Sequence, residues 1–126
     1  MREILLVFLG AGSGGVLRFL LGSWVYSYTG RNFPWGTWVI NLSGSFMMGF
    51  LFVIIVHKFT NLAPHLTALI LVGVLGGYTT FSSFSIETLR LLQDGKIMYA
   101  FLNVVTSSIL GVFLAWVGYT LAQKVI

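Results

Sequence analysis

The sequence predicts an all-α integral membrane protein: four transmembrane helices in one domain, the third broken near the midplane, paired as an antiparallel dual-topology homodimer. Three observations predict it. Of 126 residues, 57% are hydrophobic and only 8% charged, with a mean hydropathy of +0.95. Soluble domains carry about a quarter of charged residues, so this composition belongs in lipid. The few polar residues divide the chain into four apolar runs, and the basic residues flanking those runs balance between the two membrane sides.

The runs are roughly 4–26, 38–56, 66–92 and 97–121. Each supplies close to the roughly 20 residues that a helix needs to cross about 30 Å of hydrocarbon. Between them lie TGRNFP, HKFTNLAPH and QDGK, too short to hold a soluble domain. Pro34 and Pro64 fall in or beside these connections, where a missing backbone donor does no harm. Arg2 before ILLVFLG resembles the start of a signal peptide, but apolar character resumes after Arg18 and no clear small-residue cleavage site follows. The segment is therefore read as a first transmembrane helix. Cysteine is absent, which excludes disulfides and thiolate chemistry. The formal charge of +4 comes from dispersed interface anchors and gives no nucleic-acid patch.

Four spans place both termini on the side of the second loop. Arg2, Lys58 and Lys124 lie there, against Arg31, Arg90 and Lys96 on the other side. Orientation normally follows an excess of Lys and Arg in cytoplasmic loops, and no excess exists here. Either a misplaced boundary hides a bias, or copies insert both ways and pair head to tail. Such a pair acquires the inverted symmetry that larger transporters build from two fused halves. Small residues four apart (Gly10 and Gly14, Gly73 and Gly77, Ser45 and Gly49, Ser107 and Gly111) are read as close helix packing.

Within the first span, Arg18 must snorkel outward or face a wet vestibule that attracts an anion. The second span carries Thr37, Asn41, Ser45 and Gly49 on one face, and the fourth carries Asn103, Ser107, Gly111 and Ala115. Each is a narrow uncharged stripe that either cements helices or lines a path. In the third span, GGYTTFSSFS puts two poor helix formers before a run of hydroxyls that can cap a restarted helix. Two half-helices are expected, broken near the midplane. The carbonyl end would suit a cation and the N–H end an anion. Phe81 and Phe84 share a helix face among hydroxyls, and the partially positive edges of their rings can hold a small, largely dehydrated anion. Glu87 and Arg90, three apart, are expected to pair at the interface. No titratable group occupies the centre of a span, and no nucleophile–base pair or metal-ligand cluster is present, so enzymatic activity is not expected.

The segments GAGSGGVLRFLLG (10–22), FPWGTWVINLSGSFMMG (33–49), GVLGGYTTFSSFSIE (73–87) and NVVTSSILG (103–111) resemble the four signature regions of the CrcB/Fluc fluoride channels. The resemblance covers every span. It implies an antiparallel homodimer with two parallel pores that passively releases fluoride through the cytoplasmic membrane of a microorganism. By the same resemblance, Phe81 and Phe84 are the pore phenylalanines and Asn41 is the pore asparagine. Ser82 and Ser83 belong to a polar track, Ser107 is the matching serine of the fourth helix, and Arg18 is the arginine closing the first motif. Gly76 and Thr79 fall where the family holds a structural sodium ion (Na+) with backbone carbonyls from both subunits. Asn103 stands where some relatives have tyrosine, which changes how the pore is completed there. From chemistry alone two other classes stay open: a proton-coupled exporter of the multidrug type, which requires a carboxylate in the first helix, and a non-transporting assembly subunit.

Overall fold

A computed structural model describes all residues, 1–126. Helices α1 (Arg2–Thr29), α2 (Trp35–Lys58) and α6 (Ile97–Val125) run without interruption. The third span, Thr60–Gln93, is composite. A single 3₁₀ turn at Thr60–Leu62 leads into α3 (Ala63–Leu66), a π-helical stretch at Thr67–Leu75, α4 (Gly76–Tyr78) and finally α5 (Phe81–Gln93). All four spans are long and apolar enough to cross a bilayer, so the chain is a multi-pass membrane protein. Each extends a few residues beyond the apolar run that predicted it, because helical hydrogen bonding continues into the polar flanks.

The connections follow from local chemistry. Gly30 (φ 73°) ends α1 and Gly95 (φ 75°) turns the chain into α6, both in the left-handed region that a side chain disfavours. Pro34 caps α2, and Pro64 sits in the first turn of α3.

Packing divides the spans into two pairs, α1 with the first half of the third span and α2 with α6. The glycines explain both. A Cβ on Gly10 would strike the Leu69 carbonyl, and one on Gly14 the Val74 carbonyl. From the opposite side, a Cβ on Gly77 would strike the Ala11 carbonyl. Backbone therefore lies directly against backbone. In the second pair Gly49 meets the Ala115 carbonyl and Gly118 the Phe46 carbonyl, while Ser45 Oγ lies opposite Gly111. Lipid is as apolar as leucine, so close van der Waals approach takes over the part that hydrophobic burial plays in water. The apolar core is accordingly small, centred on Ile55, Leu71 and Leu75, and most large apolar side chains face outward.

The two half-helices expected of the third span are not confirmed. Gly76 and Gly77 stay helical, and the axis of the span bends by only 15°, so the chain does not divide there into two diverging half-helices. The helical ladder lapses further on, at Thr79 (φ −84°, ψ 158°) and Thr80 (φ −153°, ψ 119°), which are both extended. Glycine marks a helix as weak without fixing where it opens, and here α1 packs so tightly against Gly73 and Gly77 that the opening falls beyond them. The π-helical stretch, unusually long for that rare geometry, has no counterpart in the hydropathy pattern.

Gly14→Ala is expected to destabilise the fold by about 1–3 kcal/mol through overpacking. Gly12→Ala, where a Cβ meets nothing within 4 Å, is expected to leave stability unchanged or raise it. Thermal unfolding of the detergent-solubilised protein, followed by circular dichroism, separates the two.

Candidate functional site

At the interruption, the side chain of Asn41 replaces the missing ladder. Its Oδ1 accepts the Thr80 N–H at 2.8 Å and its Nδ2 donates to the Thr80 carbonyl at 3.0 Å. Thr80 then caps α5, its Oγ1 accepting the Ser83 N–H at 3.1 Å. In a continuous helix the Thr80 N–H would bond the Gly76 carbonyl, which here loses that donor. The Thr79 carbonyl accepts no backbone bond either. Thr79 keeps its own N–H and hydroxyl on the Leu75 carbonyl, at 3.0 and 2.9 Å. The Gly76 and Thr79 main-chain oxygens are thus among those that the interruption leaves without backbone donors, and Gly76 is exposed.

A cavity of about 440 Å³ opens beside the interruption, lined by Asn41, Ser45, Thr79, Thr80, Phe81, Phe84 and Ser107, with no charged side chain. The Phe81 and Phe84 rings are tilted at 39° with centroids 5.8 Å apart. Phe81 is 80% exposed, so the cavity is open along the flank of the chain. A second cavity, about 370 Å³, shares Thr80 with the first and gathers Arg18, Arg31, Ser23, Tyr26, Thr37 and Ser83. Neutral dipoles line one side of Thr80, and two guanidinium groups face the other.

Four of the expected pore residues (Asn41, Phe81, Phe84 and Ser107) share the neutral cavity, whereas Ser83 and Arg18 share the basic one. Ser82 lies in neither and is exposed, with Oγ 3.3 Å from Thr80 Oγ1. Asn103 is 2% exposed, its Nδ2 donating to Thr88 Oγ1 at 2.9 Å and its Oδ1 accepting from Ser107 Oγ at 3.4 Å. It joins α6 to α5 and supports Ser107 from behind.

Glu87 is held otherwise than expected. Its two oxygens accept from Thr37 Oγ1 at 2.6 Å and Tyr26 OH at 3.0 Å rather than from Arg90, so the carboxylate ties α5 to α1 and α2. The Arg31 guanidinium stacks 4.3 Å from the Tyr26 ring. Tyr26 and Thr88 were not singled out in the sequence. The signal that could have found them is the need of Glu87 and Asn103, both polar and near or within a span, for hydroxyl partners on neighbouring helices.

Residues 5–119 match the family model described as CrcB-like protein, Camphor Resistance (CrcB). The chain belongs to this family. It is 43% identical over 122 residues to a protein of Coxiella burnetii named fluoride-specific ion channel FluC, covering 97% of this chain and 98% of that one. A protein of the same name from Rhizobium meliloti is 40% identical over 126 residues, with all of both chains covered. A third, from Methylococcus capsulatus, is 47% identical over 116 residues, which cover 92% of this chain but only half of that longer protein. Kinship with ion channels makes the chain no enzyme.

Thr88→Val preserves shape but leaves the buried Asn103 amide without its acceptor, and is expected to cost about 1–3 kcal/mol of stability. Thr88→Ser, which restores the hydroxyl, is expected to lose well under half of that. Thermal midpoints in matched detergent distinguish them.

Proposed function

We propose that the chain is a fluoride-selective channel, working as an antiparallel dual-topology homodimer with two pores. It releases fluoride passively from the cytoplasm of a microorganism across the cytoplasmic membrane. The observation that carries this reading is the cavity around Phe81 and Phe84, walled by amide, hydroxyl and ring groups and free of formal charge. An anion that gives up water inside a bilayer needs dipoles aimed at it, and a fixed cation would bind it too tightly to release it. Ring edges and hydroxyl hydrogens meet that need for a small, hard anion. The names of the relatives identify the anion as fluoride.

Phe81 and Phe84 present their edges to the ion, and the hydroxyls of Ser82, Ser83 and Ser107 continue the path. Asn41 lines it and Asn103 shapes it from behind, the amide of Asn103 filling the place that tyrosine takes in some relatives. Arg18 in the basic cavity acts as the vestibule charge that concentrates anions. The third span operates as two half-helices whose polar ends meet at Thr79 and Thr80.

The dimer is supported by the balance of three basic residues against three and by the open flank beside Phe81. A second, inverted copy closes the cavity and generates two equivalent pores. The Gly76 and Thr79 carbonyls fit a structural Na+, since both lack backbone donors. Two oxygens are too few for sodium, and the same pair from the second copy completes a site at the dimer centre. When bound, the ion supplies a fixed positive charge there.

Purified protein in liposomes is expected to release fluoride rapidly and chloride barely; robust chloride flux without fluoride preference rejects the assignment. Phe81→Ile and Phe84→Ile are each expected to lower fluoride efflux at least tenfold with the dimer intact. Undiminished flux in both would return the rings to ordinary packing. Accessibility labelling of single introduced cysteines is expected to find each site on both faces of the membrane; a single orientation excludes dual topology.

A further inference from the structure

We propose that Asn41 is the positioning residue of the central cation site: by occupying the Thr80 N–H, it keeps the Gly76 carbonyl available to the ion. The inference rests on the sodium reading above and concerns how the chain prepares that site.

A helix passing unbroken through this segment has one acceptor for the Thr80 N–H, the Gly76 carbonyl four residues back. It likewise offers the Thr80 carbonyl to the Phe84 N–H. Asn41 competes for both ends of Thr80 at once, accepting from its N–H at 2.8 Å and donating to its carbonyl at 3.0 Å. A primary amide matches a peptide unit in donor and acceptor, so Asn41 satisfies Thr80 as an adjacent strand would. Neither Thr80–Gly76 nor Phe84–Thr80 bonding is present.

The consequence falls on Gly76. A carbonyl that accepts a helical hydrogen bond points along the helix axis and has a lone pair engaged. Released from that bond, it is an unshared oxygen on the exposed face of the span. The Thr79 side chain reinforces the effect: its hydroxyl stays on the Leu75 carbonyl and its methyl packs over Gly44 of α2, so the residue offers only its main-chain oxygen. Asn41 is itself built into α2, its carbonyl accepting from Ser45 Oγ at 2.8 Å. The side chain that lines the neutral cavity thus also governs an oxygen on the far side of the strand-like step. Losing Asn41 leaves the Thr80 N–H buried without a partner, and the only acceptor within helical reach is the Gly76 carbonyl. The helix closes and the cation loses a ligand.

The test uses full-length dimers carrying a ¹³C=¹⁸O label at Gly76, with infrared spectra and thermal midpoints recorded in Na+ and in choline. The wild-type protein is expected to show an Na+-dependent shift of the Gly76 band and of the midpoint. In Asn41→Ala the band is expected to move to the helical hydrogen-bonded position, with Na+ affinity reduced tenfold or more. A second variant separates this mechanism from general damage. Replacing the Thr80 amide by an ester in the Asn41→Ala background removes the competing N–H while also weakening the Thr79 carbonyl as a ligand, so the readout is the Gly76 band alone, which is expected to return to its free position. If wild type responds to Na+ and Asn41→Ala responds equally, the positioning role is wrong while the sodium reading stands. Failure of the ester to return the Gly76 band to its free position also overturns the positioning role. If wild type shows no response to Na+ by either measure, the sodium reading itself fails and takes the proposal with it.

Discussion

A polypeptide that leaves the helix inside a bilayer finds no water to satisfy its backbone, and everything distinctive in this chain depends on how that shortage is met at Thr79 and Thr80. Asn41 supplies one acceptor and one donor from a neighbouring span, and Thr80 supplies a cap from its own side chain. The extended step is therefore only partly unsatisfied, and what it leaves over is carbonyl oxygens, those of Gly76 and Thr79 among them. Carbonyls without donors are better tolerated than orphaned N–H groups, since each oxygen has two lone pairs and a softer penalty for leaving them unfilled. The limited donors and acceptors go where their absence would cost most. The interruption changes the direction of the span little, by 15°, so it alters the polarity of the path without disturbing the packing on either side.

That packing is what makes a small interruption possible. Gly10 and Gly14 bring α1 against the π-helical stretch and Gly77, while Gly49 and Gly118 join α2 to α6. With backbones in contact, the first half of the third span is held rigidly up to Tyr78, whose hydroxyl lies 2.9 Å from Ser43 Oγ of α2. Beyond that point the side chains of α2 take over: Asn41 on Thr80 and Thr37 on Glu87, one turn apart on the same face. The polar stripe of the second span thus works as a ladder of attachments for α5.

The four spans were legible in composition because lipid imposes a length and a polarity that the chain cannot evade. Small residues four apart were legible as packing for the same reason: a helix pair in hydrocarbon has few other ways to associate. The residues that share the neutral cavity were legible in part, through Phe81 and Phe84 at helical spacing and Asn41 in an apolar run. What the sequence hid was partnership. As letters in a chain, Asn41 of α2 and Asn103 of α6 are equivalent amides in apolar runs, yet Asn103 is buried against Thr88 and Asn41 clasps a peptide unit. Which hydroxyl a buried amide reaches depends on helix rotation, and rotation is set by glycine contacts between elements far apart in the chain. That the helical ladder lapses at Thr79 and Thr80 while Gly76 and Gly77 stay helical is hidden by the same logic. Propensity identifies weak residues, but tertiary hydrogen bonds decide which of them give way.

A single copy leaves Ser82, Gly76 and the Phe81 ring exposed. Facing hydrocarbon, groups of that kind cost several kcal/mol each when unpartnered, by the reasoning that confines irregular backbone to protein or wet cavities. The outward leucines, valines and phenylalanines of α1 and α6 carry no such cost and suit lipid as they stand. The flank near Phe81 therefore differs in kind from the rest of the perimeter. On the proposal above, the surface that covers it belongs to an inverted copy and is itself polar along a narrow line. The same flank on an inverted copy has that pattern by symmetry. In the proposed dimer, a cation between the two sets of oxygens would turn their mutual repulsion into attraction, so the proposed dimer and the proposed metal support each other physically while the uncharged cavity beside Phe81 and Phe84 is left free for an anion.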